Sequence, residues 1–336
     1  MGYSSQSGAV LFTTQDAPDT FNAGFEADHV AMKLRSGSLA PNRDLLVTDP
    51  EIGGGRDTAD AYLGAVSWAG DYEFYARLES IPTILKAVLG EAGSVTTTGV
   101  STHTITPSDS ATLPYLAVEE KIGSGLEVYR YTDSVVNTFH LEAEANGYFM
   151  GTAGLIARKQ IAGVTPIAAP LWDDTPLIVG TNILLTYAGI TLPAKSFAFD
   201  VNNNFEDDDF RLGSFYLGDL VAKSREINGS FAIRPEDSNL WRQAVYGGSG
   251  LTAPGGLTTK EQLVITASTY EDIEGGTPAT KASVVITVPK VALEPYAFEP
   301  SGDDAIENDI SWRALRPIAA NDICTVVVKN SQAAIV

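Results

Sequence analysis

The chain has 336 residues and a mass of 35.6 kDa, with 42 Asp and Glu against 22 Lys and Arg, a formal charge of -20 and a pI near 4.4. That balance excludes a protein that grips nucleic acid by neutralising phosphates. One cysteine, Cys324, excludes an internal disulfide framework and most thiolate metal sites, and three histidines (His29, His103 and His140) leave little for imidazole chemistry. At roughly 100–200 residues per domain, the length implies two domains or one large one. Gly 31 and Pro 17, with only 19% charged residues, point to a turn-rich β protein rather than a helical bundle. No apolar run is long enough to span a membrane. The small, polar start predicts no signal peptide, and together with one cysteine it fits a reducing cytosol.

In chain order, residues 1–24 read as an extended arm, and 31–35 as a short strand. Residues 36–61 hold Pro41, Pro50 and Gly53-Gly54-Gly55 and show neither helix nor strand period, so they read as a long functional loop. Over 66–78, Trp68, Tyr72, Phe74 and Leu78 alternate with polar residues, as in a half-buried strand. Ser80 and Pro82 then open a helix with Ile81, Ile84, Leu85, Val88 and Leu89 as its apolar stripe, stopped by Gly90. Further strands are expected at 102–106, 115–121, 126–131, 135–145 and 148–159, followed by an Ala/Pro-rich linker at 161–176.

The second half follows the same plan. Strands are expected at 197–201, 222–233, 262–269, 283–288 and 310–316, with a polar connection at 202–217 and a helix opened by Pro235 and stopped by Gly247-Gly248. At an offset of 157, Ser67, Phe74, Arg77, Glu79, Ala87, Val88 and Gly90 fall on Ser224, Phe231, Arg234, Glu236, Ala244, Val245 and Gly247. A shorter echo sets Ser134-Val135-Val136 against Ser283-Val284-Val285 at an offset of 149. We read this as a tandem duplication, with an N-terminal arm at 1–24, one domain at 25–160, the linker at 161–176 and a second domain at 177–336.

The order of these segments resembles the phage tail tube proteins, the major tail proteins of long-tailed phages. The resemblance rests on the long loop before the 66–78 strand and the helix ending Ala87-Val88-Leu89-Gly90. It also rests on Thr102-His103-Thr104-Ile105-Thr106-Pro107, on Leu113 to Glu119, and on the run from Tyr131 to Phe139. It covers most of the chain and implies a mainly β fold. Each of two tandem β-sandwich tube domains would carry one short flanking helix, and their inner sheets would form part of an oligomeric β-barrel. In the family, six such domains close a ring of twenty-four inner strands, and stacked rings conduct DNA. A chain with two domains would close a pseudo-hexameric ring as a trimer; without the duplication, the alternative is a hexamer whose chains carry an added C-terminal domain.

The resemblance implies a structural virion protein of the tail, assembled in the host cytoplasm, not an enzyme, with no cofactor and no membrane insertion. Its implied partners are further copies of itself, the tape measure protein, the tail tip and tail terminator proteins, and DNA that passes without sequence-specific binding. The inner sheet is expected to use the strands at 66–78, 135–145, 222–233 and 283–288. Asp71, Glu73, Glu142, Glu144, Glu226 and Asn228 are the candidates to face the lumen, where a negative wall repels phosphates. Asp44, Asp49, Glu51, Arg56, Asp57, Glu206, Asp207 and Asp208 are the candidates for contacts between rings. The arm at 1–24 is expected to join the contacts between subunits.

No catalytic motif stands out: the chain has no G-x-S-x-G, P-loop or H-E-x-x-H. His103 reads as a surface strand histidine. Glu142 and Glu144 sit on one strand face about 7 Å apart, which suits a solvated face and, as a second reading, a glycoside hydrolase pair. The run Glu206-Asp207-Asp208-Asp209 after three asparagines reads as a solvated loop; a calcium site is its second reading, without the EF-hand spacing. The same strand pattern would also suit a β-sandwich adhesin or carbohydrate-binding module using Tyr72, Tyr75 and Tyr148, or a tail terminator-like protein.

Overall fold

Period-two alternation folds into eighteen strands in the computed structural model, which describes residues 4–123, 126–298, 305–318 and 322–336. The first half holds β1 (Ala9–Thr14), β2 (Val30–Met32), β3 (Leu34–Gly37), β4 (Ala40–Val47), β5 (Ala61–Tyr75), β6 (Gly90–Thr97), β7 (Val100–Pro107), β8 (Leu116–Ile122), β9 (Glu127–Glu144) and β10 (Met150–Ala162). Helix α1 (Ile81–Leu89) follows β5. The second half holds β11 (Ile183–Tyr187), β12 (Ile190–Thr191), β13 (Ala194–Asn202), β14 (Glu226–Ile233), β15 (Glu261–Asp272), β16 (Lys281–Leu293), β17 (Asn308–Ala314) and β18 (Thr325–Asn330), with α2 (Asn239–Tyr246) after β14. The fold is mainly β, with two sandwiched layers and one short helix in each half.

One layer runs β3–β5–β10–β9–β13–β14–β17 and ends on the last residues of β16, all antiparallel. The other contains β2–β1–β8 against the start of β9, and β12–β11–β15–β16–β18–β7–β6. Strands β9 and β16 pass from one layer to the other, which is why each is so long. Within the first half the strands pair in the order β2–β1–β8–β9–β10–β5–β3. The second half pairs β12–β11–β15–β16–β17–β14–β13, the same order strand for strand. Two seams join the halves: β9 pairs with β13, and β7 with β18. The apolar faces of both layers share one core, from Phe12, Phe74 and Phe139 to Phe231, Trp312 and Val328.

Helix α1 buries its expected stripe, α2 begins at Asn239 rather than Pro235 and buries Gln243 and Ala244, and both helices stop at the expected glycine. Gly90 (φ 110°) and Gly247 (φ 90°) turn the chain where a side chain would be strained, and their N–H groups close on the carbonyls of Lys86 and Gln243, again 157 residues apart. The start of α1 differs from expectation. Ser80 is itself in helical conformation and makes no side-chain cap. Asp173, from residues 161–176, accepts the N–H groups of Ser80 (2.7 Å) and Glu79 (3.2 Å) instead. The carboxylate takes the two amides just ahead of the helix and places negative charge at its positive end. That stretch is therefore not a free linker but a strap across the first half.

Three other expectations change. Over Ala9–Thr14 the supposed arm is a core strand, with Val10, Leu11 and Phe12 buried; Met1–Tyr3 lie outside the described residues. Residues 36–61 are not one long loop: 40–47 form β4, which pairs with β5 in a hairpin whose free end carries 48–60. Its residues alternate poorly because both faces meet solvent, so no period-two signal could form. His103 is fully buried: its Nε2 lies 2.8 Å from the Asn330 Oδ1 and its Nδ1 2.7 Å from the Ser94 hydroxyl.

Candidate assembly surfaces

The first layer has one apolar and one wet face because its strands alternate in phase. Cross-strand partners share a face, so register alone assembles the wet one. Glu73 stands opposite Thr152, Thr152 opposite His140, His140 opposite Asp200, Asp200 opposite Asn228, and Asn228 opposite Arg313. Asp71, Glu142, Glu144 and Glu226 lie on the same face. All six residues proposed from sequence for a polar sheet face are thus brought together, from both halves. Sequence reading missed Asp200 and Asp309, which add two carboxylates, and Arg313, which adds one cation. It also missed that β10, β13 and β17 belong to this layer. The 283–288 segment does not belong to it; those residues of β16 pair with β15 and β18 in the other layer.

His140 sits at the centre of the face. Its Nδ1 is 2.6 Å from Asp200 and its Nε2 is 3.4 Å from Glu142. The Asp200 hydrogen bond raises its pKa above the ordinary histidine value, against the opposing effect of burial. Glu142 and Glu144 are both exposed on their strand. Tyr72 points into the core and presents no stacking face to a sugar.

The layer ends on two unpaired edges among the described residues. β3 and β4 pair only with β5. At the other end, residues 292 and 293 of β16 pair only with β17. A cleft of about 570 Å³ opens beside β3, lined by Leu34, Arg35, Gly37, Val10, Glu120 and Trp172 among others.

A second surface projects from the sandwich. The β4–β5 hairpin is exposed along β4 and the first residues of β5. It carries Leu45, Leu46, Val47, Tyr62 and Leu63 at 55–62% exposure, with Ile52 fully exposed near its tip. An isolated hairpin is marginal in water, and exposed apolar clusters mark contact surfaces. Asp44 lies on β4, and Asp49, Glu51, Arg56 and Asp57 lie in the solvent-exposed end. The corresponding connection of the second half, 203–225, lies against the hairpin's base: the Val66 N–H donates to the Phe215 carbonyl, and Trp68 meets Tyr216 at 6.4 Å. It exposes Leu212 and Phe215. Asp207 and Asp208 are exposed at its start. Glu206 lies 3.7 Å from Lys223, and Asp209 and Asp219 both hold Arg211. Glu206, Asp209 and Asp219 therefore have cations of their own, and among the described residues no His/Cys/Asp/Glu group is arranged to hold a metal ion.

No curated protein sequence matches the chain. Residues 5–314 match the family model described as Phage tail tube protein. The match spans both helices, the β9–β13 seam and all but the last strand, so the chain belongs to the phage tail tube protein family and is a structural protein of the tail tube.

Proposed function

We propose that copies of this chain close into rings that stack into a tube, with the acidic sheet face lining a lumen through which DNA passes unbound. The observation that carries this reading is one continuous antiparallel layer with a wet acidic face and two edges that are unpaired among the described residues. Unpaired edges are a liability in water, and closure into a barrel removes them. Contacts between unlike edges generate rings. A wall bearing Asp71, Glu73, Glu142, Glu144, Asp200, Glu226 and Asp309 repels phosphate and keeps the duplex from sticking.

The ring is a trimer in this reading. Strands β3, β5, β10 and β9 make one set of four; β13, β14, β17 and the end of β16 make a second set in the same order. This supports a tandem duplication of the tube domain, the first copy taking in β1 as well as 25–160 and the second 177–336. The family's twenty-four-stranded barrel then needs three chains. The hairpin and the 203–225 connection occupy equivalent places in the two sets, and both carry ring-to-ring contacts. The tape measure, tail tip and tail terminator proteins meet the ends and bore of the resulting tube.

Negative-stain microscopy at rising concentration, paired with mass photometry, tests the reading. Rings or tubes with a central hole and a species at three chain masses are expected; six chain masses would replace the trimer with a hexamer, and a monomer at every concentration would overturn ring closure. Deleting residues 49–56 should leave the circular dichroism spectrum unchanged and stop growth at single rings. Tubes of normal length from that variant would remove the hairpin from the stacking contact.

A further inference from the structure

The seam between the two halves fixes the geometry of the seam between chains. We infer that the end of β16 in one copy pairs antiparallel with β3 and β4 of the next, in the register that β9 and β13 already adopt within the chain. This inference rests on the ring reading above.

The register follows from partners alone. Gly229 stands opposite Trp312, and Trp312 opposite Leu293. The first-half counterpart of Gly229, 157 residues earlier, is Tyr72, which stands opposite Ala153, itself opposite Phe139. Leu293 therefore occupies the place of Phe139, and both are buried. On the other edge, Val201 stands opposite Ile227, whose counterpart is Gly70; Leu39 lies between Gly37, opposite Tyr72, and Ala40, opposite Ala69. Leu39 therefore occupies the place of Val201, and both are buried. Within the chain, Phe139 faces Val201 and Thr138 faces Asn202. Between chains, Leu293 then faces Leu39, and Ala292 faces Ala40. By the same count the short echo of residues 134–136 at 283–285 falls on equivalent strands but not at equivalent positions.

The cleft beside β3 supports the same occupant. In the second half, the end of β9 fills the space next to β13: the Ala145 N–H donates to the Lys195 carbonyl at 2.7 Å, and the cavity left there is about 70 Å³. Beside β3, where no strand end among the described residues is seated, it is about 570 Å³. The segment after Leu293, in the position of the end of β9, is the piece that a neighbouring copy would lay into it.

Cysteine pairs test the register. Directly opposed residues of antiparallel strands have Cα atoms about 4.5–5.5 Å apart, within disulfide range. Cys324 is fully buried and offers no competing thiol. The protein carrying Ala292→Cys and Ala40→Cys should, under mild oxidation, give covalent multimers on a non-reducing gel. Ala292→Cys with Ser36→Cys, four residues out of register, should stay monomeric, as should either Ala→Cys change alone. Rings seen by microscopy but cross-linked only by the displaced pair, or not at all, would overturn the register while leaving the ring reading intact. Cross-linking by Ala292→Cys alone would mean that like edges meet, and would also overturn it. A wild-type chain that forms no rings would remove both.

Discussion

Helices α1 and α2 occupy the same place in the two halves, stop at equivalent glycines, and live in different surroundings. Eight of the nine residues of α1 are buried, against only Gln243 and Ala244 in α2. The difference comes from what covers them. The β6–β7 hairpin, which has no counterpart after α2, packs on α1. Distant residues also serve the ends of α1: Asp173 at its start, Asn203 on the Val88 carbonyl at 3.0 Å, and Asn330 on the Leu78 carbonyl at 2.8 Å. By contrast, α2 begins on a local contact from Asp237 to the Asn239 N–H at 2.8 Å. Two segments in the same topological place thus have unequal roles: α1 is a hub where both halves and the C-terminal strand meet, and α2 is a peripheral cover.

The largest effect should come from cutting into the hub. Leu85 is fully buried in α1. Leu85→Ala should cost about 3–5 kcal/mol, the range for a leucine removed from a core that cannot collapse. Urea denaturation followed by circular dichroism reads this directly. A loss near 1 kcal/mol would mean that the surrounding strands close the cavity and that α1 is no hub.

The halves differ in buried charge as well. Among the described residues, the buried carboxylates (Glu119, Glu120, Asp133 and Asp173) all precede the second half. Glu119 has Arg130 at 2.8 Å and Asp133 has Arg158 at 2.9 Å, whereas Glu120 meets neutral groups, the Leu39 N–H and the Tyr131 hydroxyl at 3.3 Å. Burial pushes the Glu120 pKa from 4.5 up to about 7. The folded state then holds a proton that the unfolded chain releases. Its contribution is fully present below pH 4.5 and is lost as pH rises through about 7. Glu120→Gln keeps the shape without the charge. The stability gap between the variant and the wild type should widen in the variant's favour by up to about 3 kcal/mol between pH 5 and 8.5. Parallel pH curves for the two proteins would show that the carboxylate reaches water.

Much of this was legible from pattern. Strands with one dry and one wet face announced themselves, as β5, β9 and β14 did, because burial on one side imposes period two. The six polar positions followed from that alternation. Strands exposed on both sides, such as β4, left no such mark. Nor did β1, whose buried run Val10-Leu11-Phe12 has apolar contacts on both faces. The Asp173 cap and the His103–Asn330 pair were illegible for another reason: each joins residues more than ninety positions apart, and no local spacing encodes such a meeting.

The smallest effect should fall on the peripheral helix. Leu240 in α2 packs on the core from one side and is half-buried, so Leu240→Ala removes fewer contacts and leaves a dent open to solvent rather than a sealed cavity. The cost should be about 1 kcal/mol, because a truncated side chain at a wet boundary loses part of its transfer free energy and no cavity term is added. Measured beside Leu85→Ala under the same conditions, it turns the contrast between the helices into a ratio. A ratio near three or more fits a hub and a cover. Equal costs would mean that α2 is held as tightly as α1 and that β6–β7 contributes little to the burial of the first helix.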